Sequence, residues 1–327
     1  LHYTLIIYGT DEDMQGVNQT LHRVGVVILN WNRARDTVEC LNSISRQDYP
    51  ELEIIMIDNG SAEEEIKIIG EAFPGLRIIR NRRNLGFVDG CNEGIRIALQ
   101  KGCSYIMLVN NDVICEPQML SHLLRAMQED TKIGMIGPQI FYFSRDDLVW
   151  SAGGKVNLFT GSTRHIGLKR GRICSKVALD VDYLPGAVLL IRRELLQQIG
   201  AFSPIFSPGY YEEVDLARRA KKAGYRIVCI PWACAWHKVS SSLGGPSSTR
   251  IRYLMNRNCV LFLYRWGCLP WPFTLLIGLF KGALEVCYGI LFYPDRPKAI
   301  FRGLLEGVRY AGMSGGWEHT TSTLRGR

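Results

Sequence analysis

The chain has 327 residues, 47% hydrophobic, 21% charged and 10% aromatic, which excludes a disordered or low-complexity polypeptide. It is long enough for one large α/β domain, or a domain with an accessory region. The formal charge of +8 is concentrated, because Arg250 to Arg327 carries 11 Lys/Arg against 4 Asp/Glu and leaves about +1 for residues 1–249, so the basicity suits an anionic membrane surface and not nucleic acid.

Leu1–Thr10 is apolar but has no basic start and is followed by acidic residues, so no signal peptide is read there and 1–22 is expected to be an extension. Val24 to Leu29 reads as a buried strand ending at Asn30-Trp-Asn-Arg33, followed by a helix from Ala34 to Gln47 with Val38, Leu41 and Ile44 at helical spacing. Leu52 to Ile57 is a second strand, stopping at Asp58-Asn-Gly-Ser61. Ser61 is placed to cap a helix from Ala62 to Phe73 whose first turn holds Glu63, Glu64 and Glu65. Leu76 to Arg80 is a third strand, Gly86 to Lys101 a third helix, and Tyr105 to Val109 a fourth strand leading into Asn110-Asn-Asp112. This alternation predicts a parallel, nucleotide-binding half over 23–112.

The second half, 113–239, has a different rhythm. Pro117 to Glu129 is a predicted helix, and Ile133 to Phe143 and Val149 to Phe159 read as extended. Gly186 to Ile191 is a strand, Arg193 to Ile199 a short helix, and Tyr211 to Ala223 a helix closed by Gly224. Tyr225 to Ile230 is a last strand, expected to end before Pro231. The Ser/Gly/Pro run from Val239 to Ser248 predicts a joint to a helical tail over 240–327. Within that tail, Leu269 to Tyr293 is almost wholly apolar, interrupted by Lys281 and Glu285. Those charges favour a helix lying in the membrane interface over one that spans it, with Trp266, Trp271, Tyr288 and Tyr293 at headgroup level; a soluble helical hairpin packed on the domain is the alternative. Ten scattered cysteines without a CxxC pair suit a reduced, cytosolic chain.

Several strand ends carry chemistry-bearing residues, and in an open α/β sheet ligands bind there. Asp58 stands where a carboxylate can accept hydrogen bonds from a base or ribose, or cap the following helix. Gly86, Gly90 and Gly94, within Asn84-Leu-Gly-Phe-Val-Asp-Gly-Cys-Asn-Glu-Gly94, line one helix face and imply a close approach by a strand or a nucleotide. Neither GxGxxG nor a P-loop is present. Tyr211-Glu-Glu-Val-Asp215 clusters carboxylates at a helix start, and Ala235-Trp-His237 puts a histidine after the last strand, a reasonable metal ligand.

Taken in order, these motifs resemble the family 2 glycosyltransferases of the GT-A fold, nearest to their rhamnosyltransferase-like and galactofuranosyltransferase-like branches. The resemblance covers about Val24 to Val239. It implies an α/β architecture, a Rossmann-like nucleotide-binding half with a mixed sheet, plus a C-terminal helical, membrane-proximal segment. It also implies inverting transfer from a nucleoside-diphosphate sugar, UDP- or dTDP-linked, to a glycan or lipid-linked acceptor at the inner face of the cell membrane. Carried onto this chain, Asp58 would hold the nucleoside with Asn30, Asn84, Gly86, Asn92, Asn110 and Asn111 nearby. Asp112 and His237 would ligate Mg²⁺ or Mn²⁺, and Glu213 would be the catalytic base. Two departures stand out: Asn110 replaces the first acid of Asp-x-Asp, and Glu212-Glu213 replaces the usual Glu-Asp. A sugar nucleotidyltransferase would need a glycine-rich, basic loop where Asn30 to Arg33 stands. A non-catalytic sugar-nucleotide-binding module is the other rival.

Overall fold

The computed structural model describes residues 22–239, 248–270 and 296–313, with 273, 276, 279, 280 and 283 between them. Residues 1–21 of the expected extension 1–22, and most of the apolar stretch 269–293, lie outside those residues. The first half is β1 (Val24–Asn30), α1 (Ala34–Ile44), β2 (Leu52–Asp58), α2 (Glu63–Ala72), β3 (Ile78–Arg80), α3 (Gly86–Gln100) and β4 (Tyr105–Asn110). After it come β5 (Val113–Cys115), α4 (Met119–Glu129), β6 (Ile133–Tyr142), β7 (Arg145–Ser151), β8 (Gly154–Val156) and β9 (Thr163–His165). The chain continues through β10 (Leu179–Asp180), β11 (Val188–Arg192), α5 (Arg193–Ile199), α6 (Glu212–Lys222), β12 (Arg226–His237), α7 (Thr249–Trp266) and α8 (Arg296–Met313).

One mixed sheet runs in the order β10-β12-β6-β11-β4-β1-β2-β3, with β5 on β12 and β7 on β6. Strands β1 to β4 are parallel, β12 is parallel to β6, and β11 lies antiparallel between β4 and β6. Alternation sorts the buried side chains onto two faces. Val27 and Ile57 join a core with Cys91 and Ile95 of α3, Leu216 of α6 and Phe262 of α7. Val26, Ile28 and Met56 join another with Leu41 of α1 and Leu123 of α4. A sheet covered on both faces is why β1 is a continuous apolar run.

The α3 glycines are explained by packing. A Cβ on Gly94 would stand 2.2 Å from Val27 Cγ1, and one on Gly90 2.5 Å from Leu29 Cδ1, so the close approach is by strand β1. Gly86, at φ +87°, is pressed by Pro208 instead.

Three sequence expectations are corrected. Ser61 does not cap α2, whose N-cap is Ala62; its hydroxyl turns back to Asp58 and Asn30. Pro231 does not end the last strand: β12 continues to His237 through a register shift between Ile230 and Cys234, and the free Pro231 carbonyl accepts from Gln139 Nε2 at 2.8 Å. Trp266, expected to face a headgroup layer, instead turns its indole N–H into the domain, donating to Asp215 Oδ1 at 2.8 Å.

Helix α7, read as tail, is seated in the domain. Ser248 caps it by accepting from the Ile251 N–H at 3.2 Å, and Cys259, Leu261, Phe262 and Leu263 are buried in the α3/α6 core. Helix α8 packs on α7 through glycines, since a Cβ on Gly303 would lie 2.4 Å from the Tyr253 carbonyl oxygen. Among the described residues no helix is long and apolar enough to cross a membrane.

Candidate active site

Register brings the polar strand ends together. Asn30 pairs with Asp58 and Leu29 with Asn110, so the carboxyl ends of β1, β2 and β4 are level. Strand order reverses between β1 and β4, the switch point at which such sheets bind ligands. Behind this edge lies a satisfied polar lattice. Asn30 Nδ2 donates to Asp58 Oδ1 at 2.9 Å and to Ser61 Oγ at 3.0 Å, while Thr37 Oγ1 donates to Asn30 Oδ1 at 2.7 Å. Asn111 Nδ2 reaches Thr37 Oγ1 at 2.9 Å, and the Ser61 N–H donates to Asp58 Oδ2 at 3.1 Å. Asn30 and Asp58 are both 0% exposed.

In front of the lattice opens a cleft of about 670 Å³, in the range of small-ligand sites. Its lining includes Asn84, Gly86, Asn110, Asn111, Asp112, Glu212, Glu213 and His237, so most of the residues singled out from the sequence converge there. Three do not. Asn30 and Asp58 lie behind the wall, where full hydrogen bonding leaves them no surface for a nucleoside. Asn92 faces elsewhere, its Nδ2 donating to the Phe202 carbonyl at 2.9 Å and its Oδ1 accepting from the Phe202 N–H at 3.0 Å. Asn59 takes a place the sequence reading left empty. It donates to Asn84 Oδ1 at 3.3 Å and to the Gly86 carbonyl at 2.9 Å, fixing the turn into α3.

Asp112 and His237 are 125 positions apart but adjacent in space, because β12 pairs antiparallel with β5 and sets His237 opposite Val113. His237 Nε2 stands 3.0 Å from Asp112 Oδ1, both side chains are buried, and His237 Nδ1 has no hydrogen-bond partner. An imidazole nitrogen and a carboxylate oxygen side by side at the cleft wall are a donor set that would suit Mg²⁺ or Mn²⁺. Among the described residues no third His, Cys, Asp or Glu joins it, so further ligands would come from substrate and water.

Glu212 and Glu213 open α6 after Tyr210 and Tyr211, which hold φ values of 76° and 71° and swing the chain sharply into the helix. Each glutamate has an Oε2 buried without a partner. Burial and the Glu213 charge hold the Glu212 carboxyl well above the usual range, and burial pushes Glu213 up to about 7. The two carboxyls therefore titrate as a pair, and burial favours its protonated forms. Burial, with their charge added, also pushes the Tyr210 hydroxyl up to about 12.

The rest of the lining was not legible as motif. Trp150, Thr163, His165 and Tyr183 come from the 144–182 stretch and its end, and Arg250 and Arg252 from the start of α7. Trp150 stands edge-on to both His165 and His237, at centroid distances of 4.7 and 4.6 Å. An Arg-x-Arg after a capping serine was the available signal for the α7 contribution; Trp150 and His165 carry none in a single sequence.

Known proteins resemble this chain in sequence and fold. An N-acetylglucosaminyl-diphospho-decaprenol L-rhamnosyltransferase of Mycobacterium tuberculosis is 24% identical over 67% of this chain and 77% of its own length. A poly-beta-1,6-N-acetyl-D-glucosamine synthase of Staphylococcus epidermidis is 20% identical over 83% of this chain, which spans 63% of the synthase. Among solved structures, GalNAc-T7 with UDP, GalNAc and Mn²⁺ superposes with a TM-score of 0.60 at 18% identity, covering 75% of this chain and 48% of that one, and so shares the GT-A-like fold. The pattern of glycosyl transferase family 2 matches residues 25–200, more than half of the sequence, and the chain belongs to that family.

Proposed function

We propose that the protein is a metal-dependent, inverting glycosyltransferase that moves one sugar from a UDP- or dTDP-sugar, dTDP-rhamnose among the candidates, to a glycan or lipid-linked glycan of the cell surface. The observation that carries this reading is a buried glutamate pair with Glu213 pushed up to about 7, in the same cleft as the Asp112–His237 pair. Inversion needs one displacement: the acceptor oxygen bonds to the anomeric carbon as the bond from that carbon to the diphosphate breaks, and the acceptor proton passes to a base. Glu213 suits that base, since a carboxylate titrating near the working pH combines availability with basicity. A divalent cation held by Asp112 and His237 would stabilise charge on the departing diphosphate. Asn84, Asn110 and Asn111 are uncharged donors and acceptors for the nucleoside and diphosphate, with Asn59 holding Asn84 in place.

The acceptor class follows the relatives, one named for a diphospho-decaprenol-linked sugar and one for a polysaccharide. Membrane contact through 250–327, at the cytoplasmic face, is supported by the basic charge there and by exposed Phe273, Phe280, Phe301 and Leu305. A panel of UDP- and dTDP-sugars with Mn²⁺ or Mg²⁺ tests the reading. Release of nucleoside diphosphate with one donor, lost in Asp112→Ala, is the expected result. Release of pyrophosphate would make it a nucleotidyltransferase. Binding of a donor without turnover against any lipid-linked or glycan acceptor would make it a binding module.

A further inference from the structure

Helix α7 grips the approach to the glutamate pair at two points. Asn258, 0% exposed, aims its amide at the loop just before α6: Nδ2 lies 2.9 Å from the Gly209 carbonyl oxygen, 2.7 Å from that of Tyr210 and 3.3 Å from that of Phe206. One amide nitrogen thus gathers carbonyls from the approach to the turn and from its first residue, where Tyr210 and Tyr211 hold positive φ. Arg257 beside it donates to the Ile205 carbonyl at 3.5 Å and also to that of Ser207. Two turns on, Trp266 Nε1 donates to Asp215 Oδ1 at 2.8 Å and the Arg265 guanidinium stands 3.1 Å from the same oxygen. Asp215 is 0% exposed and follows Glu213 by two positions. Within α6 it is held again by Arg219 at 2.8 Å. The glutamates therefore sit between two anchor points on a single helix outside the span that the family pattern matches.

We infer that α7 is a clamp that positions the glutamate pair, with Asn258 and Trp266 as positioning residues for Glu213. Asn258 fixes the turn that delivers Glu212 and Glu213 into the cleft. Trp266 fixes the roll of α6 through Asp215. Neither lines the cleft floor as a reacting group, so each acts through the glutamates. The turn needs outside help, because left-handed backbone at two consecutive non-glycine residues is disfavoured and persists only where surroundings over-determine it. The inference rests on the transferase reading for its catalytic consequence, but the clamp itself is a statement about the loop.

The test compares Asn258→Ala and Trp266→Phe with wild type, using the full chain. Trp266→Phe keeps an aromatic ring against the core while removing the N–H donor and part of the indole, so it serves if Asn258→Ala fails to fold. Amide hydrogen exchange read by mass spectrometry should quicken in peptides covering 203–217 and stay unchanged in β1 to β4. Turnover should fall with kcat, by about 100-fold for Asn258→Ala, as expected for a misplaced catalytic group. Affinity for UDP or dTDP with Mn²⁺, read by calorimetry, should hold within about threefold, a change near 0.65 kcal/mol. Faster exchange confined to 203–217 supports the clamp even in a chain that turns over no donor, an outcome that would sink the transferase reading alone. Unchanged exchange there, a wild-type kcat, or a loss carried by nucleotide affinity overturns it.

Discussion

The two polar regions around the cleft are built on opposite principles. At the carboxyl ends of β1, β2 and β4, Asn30, Thr37, Asp58, Ser61 and Asn111 answer one another's hydrogen bonds, and the buried Asp58 carboxylate is fully engaged. At the start of α6, two buried carboxylates sit side by side with an oxygen each left unanswered. The first region is a stiff support, since a satisfied buried network rigidifies the fold that carries it. The second concentrates destabilising groups where the proposed transfer would need a base, and hydrogen bonds from α7 reach the residues on either side of them.

Breaking the reactive region should have the largest effect. Glu213→Gln is expected to lower turnover by about 10³-fold while leaving nucleotide affinity intact, the size set by loss of a general base. The same change has a stability signature of the opposite sign. A carboxyl whose folded pKa is raised contributes stability below its unfolded pKa, and that stability is lost as pH rises through the folded value near 7. Glu213→Gln should therefore melt higher than wild type, by about 5 °C at pH 8, with the difference shrinking towards pH 5. In wild type the acid limb of kcat/KM should fall near pH 7. A limb in the ordinary carboxylate range, or a Gln variant that still turns over, would move the base elsewhere.

The supporting lattice should break differently. Asp58→Ala strands the Asn30 amide and the Ser61 N–H in a buried site, and is expected to cost about 3 kcal/mol in chemical denaturation. Its effect on nucleotide affinity should appear only as lost folded protein; a direct loss of affinity in the folded fraction would restore Asp58 as a nucleoside contact. Asp112→Ala sharpens the contrast from the cleft side. It should weaken Mn²⁺-dependent nucleotide binding by about 10- to 100-fold and leave metal-free binding alone. Equal affinity with and without Mn²⁺ in wild type would remove Asp112 and His237 from any metal role.

Much of the first region was legible because it is local. Strand alternation, β1 ending at Asn30 and β2 at Asp58 follow from short patterns, and parallel register then aligns the ends without further information. What could not be read was made by distance in sequence. His237 meets Asp112 only because β12 runs on past Pro231, and Pro231 is tolerated only because the strand bulges there. Helix α7 looked like tail because its basic, apolar composition matches a membrane-proximal segment equally well. Its seat in the domain depends on Cys259, Leu261, Phe262 and Leu263 packing in the core and on Asn258 and Trp266 finding partners about 50 positions away, in the Phe206–Asp215 stretch. Trp150 and His165 reach the cleft from the short strands β7 and β9, and neither carries a motif that marks it.

Asn92 was within reach of sequence reasoning and gives the smallest, cleanest test. Gly90 and Gly94 are four apart and share the α3 face pressed on β1. Asn92, two from each, is turned by about 200° to the other side, because a helix advances about 100° per residue. A motif written Gly-x-Asn-x-Gly therefore cannot present its asparagine and its glycines to one ligand. Asn92 instead mimics a strand neighbour, giving an N–H and accepting one from residue 202, which ties α3 to the segment ahead of the 207–211 turn. Asn92→Ala should cost about 1 kcal/mol in denaturant midpoint, one exchanged pair of hydrogen bonds to a half-buried backbone. It should leave nucleotide affinity unchanged. A calorimetric loss of affinity larger than that of Asn84→Ala would show that α3 presents Asn92 to the ligand after all, and that the helix turns on binding.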